Sequence, residues 1–304
     1  MSFAQHNAQY DMPTSAAAVS RAVQPGHLYV VATPIGNLQD FPPRAQQVLG
    51  EVDAICAEDT RNSAGLLAHF GIQRPLLALH EHNETAICAQ LIARLRAGES
   101  LALISDAGTP LISDPGFALV RAAREAQLPV IAIPGPCAAI AALSIAGLPS
   151  DRFVFEGFLP AKPNARRERL QQLAAETRTL IVYESSHRIG DCVDDIVSVL
   201  GTERLVCLAR ELSKLYEQSH RASAAELKAW LAQDANRSRG EFVLVIAGAA
   251  DAGVDTQQAE GERVLRLLLA DGLSASTAAR LAAQISGARK KAMYELALRL
   301  QPET

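Results

Sequence analysis

The stretch LALISDAGTPLISDPG, residues 101–116, decides the architecture. Leu101–Ile104 is a short apolar run that reads as a strand. Ser105-Asp106-Ala107-Gly108-Thr109-Pro110 follows at once, with an acid, a glycine and a proline. Phe117–Ala126 then reads as a helix. Working outward, the same alternation repeats from residue 28 to 148. Strand-like Leu28–Thr33, Val52–Ala57, Leu76–Leu79 and Val130–Ile133 are interleaved with helical Pro43–Leu49, Arg61–Phe70, Glu84–Ala97 and Ala138–Ala146. Strands alternating with helices imply a parallel sheet covered on both faces, with ligands outside the carboxyl ends of its strands. Those ends read TPIGN (33–37), EDT (58–60), HEHNE (80–84), SDAGTP (105–110) and PGP (134–136), each polar or rich in Gly and Pro. One such loop is a turn; five in succession look like a built cleft.

A second αβ region follows Pro149-Ser150-Asp151. Its expected strands are Phe153–Gly157, Leu180–Tyr183, Leu205–Leu208 and Phe242–Ala247; its helices are Asn164–Glu176, Asp191–Leu200 and Ala224–Ala232. Asp251–Gln258 is small and polar and reads as a linker, and Glu260–Leu300 is helical. Helices Ala275–Ile285 and Ala288–Leu300, joined at Ser286-Gly287, outline a helix-turn-helix. The expected fold is therefore α/β: two αβ domains with a ligand cleft between them, plus a small C-terminal helical region. The expected divisions are a disordered tail (1–25), an N-terminal domain (26–149), a C-terminal αβ domain (150–250), a linker (251–259) and a helical region (260–304).

The 304 residues are 49% hydrophobic and 20% charged, with net charge −4. That is too apolar for a disordered chain, and no apolar run reaches the ~18–20 residues of a spanning helix. The five cysteines are an odd number, scattered, with no CxxC pair. They argue against a disulfide framework or zinc site, and for a reducing, cytoplasmic setting. The acidity argues against coating nucleic acid by bulk charge, yet the charge is unevenly spread. Lys162, Arg166, Arg167 and Arg169 cluster at the start of a helix. Residues 280–299 hold five basic residues, among them Arg289, Lys290 and Lys291, against the single acid Glu295. Each cluster is either a solvated helix face or a contact for a phosphate backbone.

There is no GxGxxG after a strand, no GxxxxGK[ST] and no GxSxG. The loop 106–116 is either a tight connection or a wall where a ligand meets bare backbone. An acid there suits an uncharged or cationic ligand such as a ribose or a sulfonium. Pro134-Gly135-Pro136-Cys137-Ala138-Ala139 opens a helix that either packs closely on the sheet or offers its N–H groups to an anion. His80-Glu81-His82-Asn83-Glu84 is not HExxH and lacks a partner set of ligands elsewhere, so no metal is expected.

Long motifs then add up to a family resemblance. ATPIGNLQD (32–40), AEDTR (57–61), HFGI (69–72), LISDAGTPLISDPG (103–116), PGPCAAIAALSIAGLPSDRFVFEGFLP (134–160), YESSHR (183–188), ARELSK (209–214) and GEFVLVIAG (240–248) resemble the ribosomal RNA small subunit methyltransferase I family. That family lies in the tetrapyrrole-methylase-like class of S-adenosylmethionine (SAM) methyltransferases. The resemblance covers roughly residues 27–300. It implies SAM between two αβ domains, a homodimer, no metal, and 2′-O-methylation of a cytidine in small-subunit ribosomal RNA. By position it implies SAM contacts at Pro34, Asp106, Ala107, Gly108, Cys137, Ala138, Ala139, Glu184 and Gly240. Relatives often carry another small residue at 137. The first loop, TPIGNL, lacks the glycine-rich character of tetrapyrrole enzymes, which argues against a tetrapyrrole acceptor.

A ribose hydroxyl is a poor nucleophile, and a base or cation near it helps remove its proton. Glu58 and Lys214 are the expected catalytic residues, ahead of Asp59, Glu84 and Glu211. Arg61 and Arg210, together with the two basic clusters, are the expected RNA contacts. The alternatives are a small-molecule methyltransferase of the tetrapyrrole type and a non-catalytic RNA-binding ribosome assembly factor.

Overall fold

The computed structural model describes residues 23–80, 83–249 and 252–300. Of the tail expected over 1–25, residues 1–22 lie outside the described residues. Order nevertheless begins before Gly26. Val23 is buried in the same apolar cluster as Tyr29, and the Gln24 N–H donates to the Tyr29 hydroxyl at 2.8 Å.

The first domain runs β1 (Leu28–Val31), α1 (Pro43–Glu51), β2 (Ala54–Ala57), α2 (Thr60–His69), β3 (Leu76–Ala78), α3 (Glu84–Arg96), β4 (Leu101–Ile104), α4 (Phe117–Glu125), β5 (Val130–Ile133) and α5 (Ala138–Ile145). Its sheet is parallel with strand order β3-β2-β4-β1-β5. Successive residues of a strand point to opposite faces, and here both faces are covered. Tyr29, Val31, Ile55, Ala102 and Ile104 pack with α1 and α2. Leu28, Ala54, Cys56, Leu101 and Leu103 pack with α3 and α4. This explains strands that are apolar throughout rather than alternating. The neighbours β1 and β4 send their following helices to opposite faces. Such a reversal of helix direction places the ligand site outside the carboxyl ends of these strands.

The second domain contains β6 (Phe153–Phe158), α6 (Pro163–Leu173), β7 (Thr179–Ser185), α7 (Ile189–Leu200), β8 (Leu205–Arg210), β9 (Gln218–Ser223), α8 (Ala224–Ala232) and β10 (Glu241–Ile246). Its sheet has the order β6-β7-β10-β8-β9; β6 and β7 are parallel and the other pairs antiparallel. Strand β9 has no counterpart among the strands expected from the sequence. QSHRAS is polar and lies at a sheet edge, so it carries no apolar alternation to betray it.

Helices α6, α7 and α8 cover one face of this sheet. The other face is covered by α5, which belongs to the first domain. Ala139, Ala142, Leu143 and Ala146 pack on Ile181, Cys207, Ala209, Val243 and Val245. The small side chains let the helix lie close to the sheet, and the two domains thus share one core. This resolves the alternatives for the PGPCAA segment in favour of close packing along the helix body.

The last unit is α9 (Ala252–Ala270), α10 (Ala275–Ser286) and α11 (Lys290–Leu300), closed around Leu265, Ala278, Ala279, Ala282, Met293 and Ala297. The stretch 251–259, expected as a linker, is helical from Ala252. Small polar residues are compatible with either state, and continuity with the apolar stripe after residue 260 decides for helix. Ser274 caps α10 by accepting the Thr277 N–H, and Gly287 ends it in the left-handed conformation, φ +75°. Among the described residues, no helix is long and apolar enough to cross a membrane.

Candidate functional site

The ends of β1, β4 and β5 are fastened to one another. Thr33 and Gly108 exchange N–H···O bonds of 2.9 and 3.1 Å. The Thr33 hydroxyl donates to the Ser105 carbonyl at 3.2 Å, and the Thr109 hydroxyl to the Pro136 carbonyl at 2.9 Å. Between this rim and the second sheet lies a cavity of about 500 Å³. Its size falls within the range of small-molecule sites.

Seven of the nine residues expected to contact a cofactor line this cavity: Asp106, Ala107, Gly108, Cys137, Ala138, Glu184 and Gly240. Pro34 and Ala139 do not. Pro34 is buried and its neighbour Ile35 takes the wall position; Ala139 is buried, with its N–H on the Tyr183 hydroxyl at 3.1 Å. The carboxylate of Glu184 is fully buried and pairs with Arg188 at 3.2 Å. At two points the wall is bare backbone by necessity. Gly108 has φ +88°, and a Cβ there would sit 3.2 Å from Ile35 Cγ2. Gly240 has φ +103°, and a Cβ would sit 2.5 Å from Glu211 Oε1. Both positions exclude a side chain, through positive φ and through Ile35 and Glu211 packed where a Cβ would lie, so the main chain itself lines the cavity there, as suits a cofactor held by main-chain groups.

Three acids stand at this end of the first sheet. Asp106 is held by the start of α2: Oδ1 accepts the Asp59 N–H at 3.1 Å and Oδ2 accepts from Asn62 Nδ2 at 2.9 Å. Burial raises the Glu58 pKa above the usual carboxylate range, and the charges of Asp106 and Asp59 add to it. Asp114, which by sequence belongs to a Gly/Pro-rich turn, lines the cavity. Burial pushes it up to about 6 against an opposing hydrogen bond from Ser105, with Glu58 and Asp106 raising it further. The sequence signal was present, an acid repeated eight residues after Asp106 on the same strand-end loop, but spacing alone does not separate a wall residue from a turn residue.

Glu58 and Lys214 do not meet in one cavity. Lys214 lines an adjoining cavity of about 780 Å³, which shares Ile35, Cys137 and Leu212 with the first. Lys214 Nζ pairs with Glu241 at 2.8 Å and Glu211 at 3.2 Å. Burial works against its charge, but the two carboxylates prevail and raise its pKa. The two carboxylates thus favour its ammonium form, which fits the cation rather than the base of the two expected roles. The Ser213 hydroxyl donates to Asp40 and so ties the loop after β8 to the loop after β1.

Two other expected catalytic residues have structural duties. Glu84 is buried and its Oε1 accepts the Leu119 N–H at 3.0 Å, fastening α3 to α4; this removes it from the candidates. Asp59 caps α2 and grips Arg61 at 3.0 Å, which holds its carboxyl down at about 2, with hydrogen bonds from Arg61 as the cause.

The expected RNA contacts divide. Arg166 is corrected: it is buried and bonds Asp195 at 2.6 Å, out of reach of a polyanion. Arg169 pairs with Glu156 at 2.7 Å. Arg210 holds the carbonyls of Arg239 and Tyr216 and steadies its own loop. Lys162, Arg289, Lys290 and Lys291 are exposed, as is Arg61. Of the HEHNE segment, residues 81 and 82 lie outside the described residues. Among the described residues, no group of three metal-ligating side chains forms.

Against known proteins, residues 27–228 match the family described as Tetrapyrrole (Corrin/Porphyrin) Methylases, and residues 255–301 match the RsmI C-terminal HTH domain. A protein of Xylella fastidiosa (strain Temecula1) named Ribosomal RNA small subunit methyltransferase I is 57% identical over 270 residues, 89% of this chain and 98% of that one. One of the same name from Escherichia coli O157:H7 is 54% identical over 276 residues, 91% of this chain and 96% of that one. Among solved structures, the methyltransferase CobJ aligns with a TM-score of 0.55 at 17% identity, covering 74% of this chain and 95% of that one. At that identity the likeness is one of fold.

Proposed function

The chain belongs to the ribosomal RNA small subunit methyltransferase I family of tetrapyrrole-type methylases, and we propose that it moves a methyl group from SAM in the interdomain cleft to the ribose 2′-hydroxyl of a cytidine in small-subunit ribosomal RNA. The observation that carries this reading is a single cleft whose walls are bare backbone at Gly108 and Gly240 and whose floor is acidic, on a chain that also ends in a basic helix-turn-helix. The reading includes a homodimer in the cytoplasm and an assembled subunit as the substrate.

Bound in the cleft, SAM supplies a methyl on a positively charged sulfur. The acids at 58, 106 and 114 suit that charge. Backbone groups from 106–109 and 240 would hold the ligand without titrating. Tyr183, packed edge-on to Phe155 with centroids 5.1 Å apart, and Leu212 give the wall its apolar part. Glu58 takes the hydroxyl proton on a carboxylate oxygen, because the other acids of the cleft wall are engaged: Asp106 with α2, Asp114 with Ser105, Glu184 with Arg188 and Glu241 with Lys214. Orientation of the two reactants does most of the work.

Labelled SAM incubated with small subunits lacking the modification, followed by alkaline hydrolysis, yields an alkali-resistant labelled dinucleotide. Label on a base or on a small tetrapyrrole, or SAM binding with no transfer, overturns the reading.

A further inference from the structure

At the outer lip of the cleft, β6 ends in Phe158, whose side chain is 54% exposed beside the buried Leu159. The ring lines the cavity, so its exposed surface faces whatever enters the cleft. The ring meets Tyr183 edge-on, with centroids 5.7 Å apart at 67°, so this contact leaves a face of Phe158 uncovered. The lip is rigid. Arg188 Nη2 donates to the Leu159 carbonyl at 2.6 Å and the Pro160 carbonyl at 3.3 Å, and Arg188 is anchored by the buried Glu184. The same lip continues into Lys162, exposed and with no ion pair among the described residues, and then into α6. There Arg167 stands 3.6 Å from Asp195, whose other oxygen is already taken by Arg166.

We infer that Phe158 is a stacking platform for a base of the acceptor RNA strand, with Lys162 and Arg167 on the neighbouring phosphates. The inference rests on the function proposed above and assigns the direction from which the strand enters. A pinned ring flanked by exposed cations is how proteins hold unpaired nucleotides: the π-face takes the base and the charges track the backbone. The neighbouring charge selects the acceptor over the donor. SAM carries no phosphate for Lys162 and Arg167 to meet, and its expected contacts lie deeper, at 106–108 and 137–138. Lys162 and Arg167 put two exposed cations on the β6–α6 lip of this cleft.

The test measures the SAM dissociation constant by calorimetry and KM for under-modified small subunits at saturating SAM, in full-length protein. Phe158→Ala and Phe158→Leu are expected to raise KM for the subunit by about ten-fold, with SAM affinity unchanged, while Phe158→Trp keeps the wild-type KM. Leu retains the apolar contact with Tyr183 and so separates loss of stacking from loss of folding. Lys162→Ala with Arg167→Ala is expected to lower the salt slope of RNA affinity by about 1 to 2. If Phe158→Ala weakens SAM binding and leaves the subunit KM alone, the ring serves the donor and the inference fails. It fails also if neither quantity moves. A wild-type protein that methylates no subunit overturns the function itself; an active wild type with insensitive Phe158 variants overturns only the lip.

Discussion

Glu58 and Asp114 illustrate how position, rather than residue type, assigns chemistry. Glu58 lies one residue beyond β2, and its pKa is raised mainly by burial. Glu58→Gln is expected to bind SAM normally and to lose about a hundred-fold in kcat, with the acidic limb of the wild-type pH profile lying above the ordinary carboxylate range. Single-turnover methylation across pH checks both. Asp114 has its folded pKa raised to about 6 from 3.8. The protonated form is the one the fold favours, so its contribution is present below the unfolded pKa and is lost as pH rises through 6. Asp114→Asn should therefore be more stable than wild type at pH 7.5, by about 1 kcal/mol after solvent screening, and no more stable at pH 4. Thermal melts at the two pH values decide. Local charge arithmetic could nominate Glu58 from sequence, because a strand end is legible. It could not separate Glu84, a buried clamp, from Glu58, or Arg166, a buried ion pair, from Lys162. Those distinctions are made by which helix face meets the core.

The elements were legible where apolar periodicity was strong. The five parallel strands, α3 to α5 and the last two helices lie close to their expected spans. Strand β9 and the start of α9 were not, since polar residues at a sheet edge and small residues in a helix carry no pattern. The loops after β4 and β8 hold four non-glycine residues in the left-handed region: Leu111 at φ 72°, Ser113 at 67°, Glu211 at 50° and Ser213 at 68°. Such strain concentrates at binding sites, and the flanking motifs were visible only as Gly/Pro-rich or charged runs. At the far end, Arg289, Lys290 and Lys291 precede or open α11 with their side chains in solvent. Replacing all three by alanine should weaken subunit binding at low salt and reduce the slope of log affinity against log salt by about 2 to 3, with SAM affinity unchanged. Filter binding across a salt series checks this. An unchanged slope would remove α11 from the RNA surface.

The two αβ domains share a core through α5, which closes the second sheet while hanging from the first. Ala142 lies fully buried in that seam. Ala142→Leu should overpack it, cost about 1 to 3 kcal/mol, and lower SAM affinity because the two cavity walls move apart together. Calorimetry alongside denaturant unfolding measures both. The net charge of −4 averages over acids at the cleft and basic residues on one lip and one terminal helix pair, so RNA contact should be local and sensitive to salt. The shared helix also orders the birth of the molecule. The first domain leaves the ribosome with the α5 stripe of Ala139, Ala142 and Ala146 bare, and β10, which must cover it, follows only about a hundred residues later. At ~5–20 residues per second of synthesis, that surface waits ~5–20 s for its partner. During that interval the nascent chain carries a sticky alanine-rich face, and its cofactor cleft is the last part of the two domains to come into being.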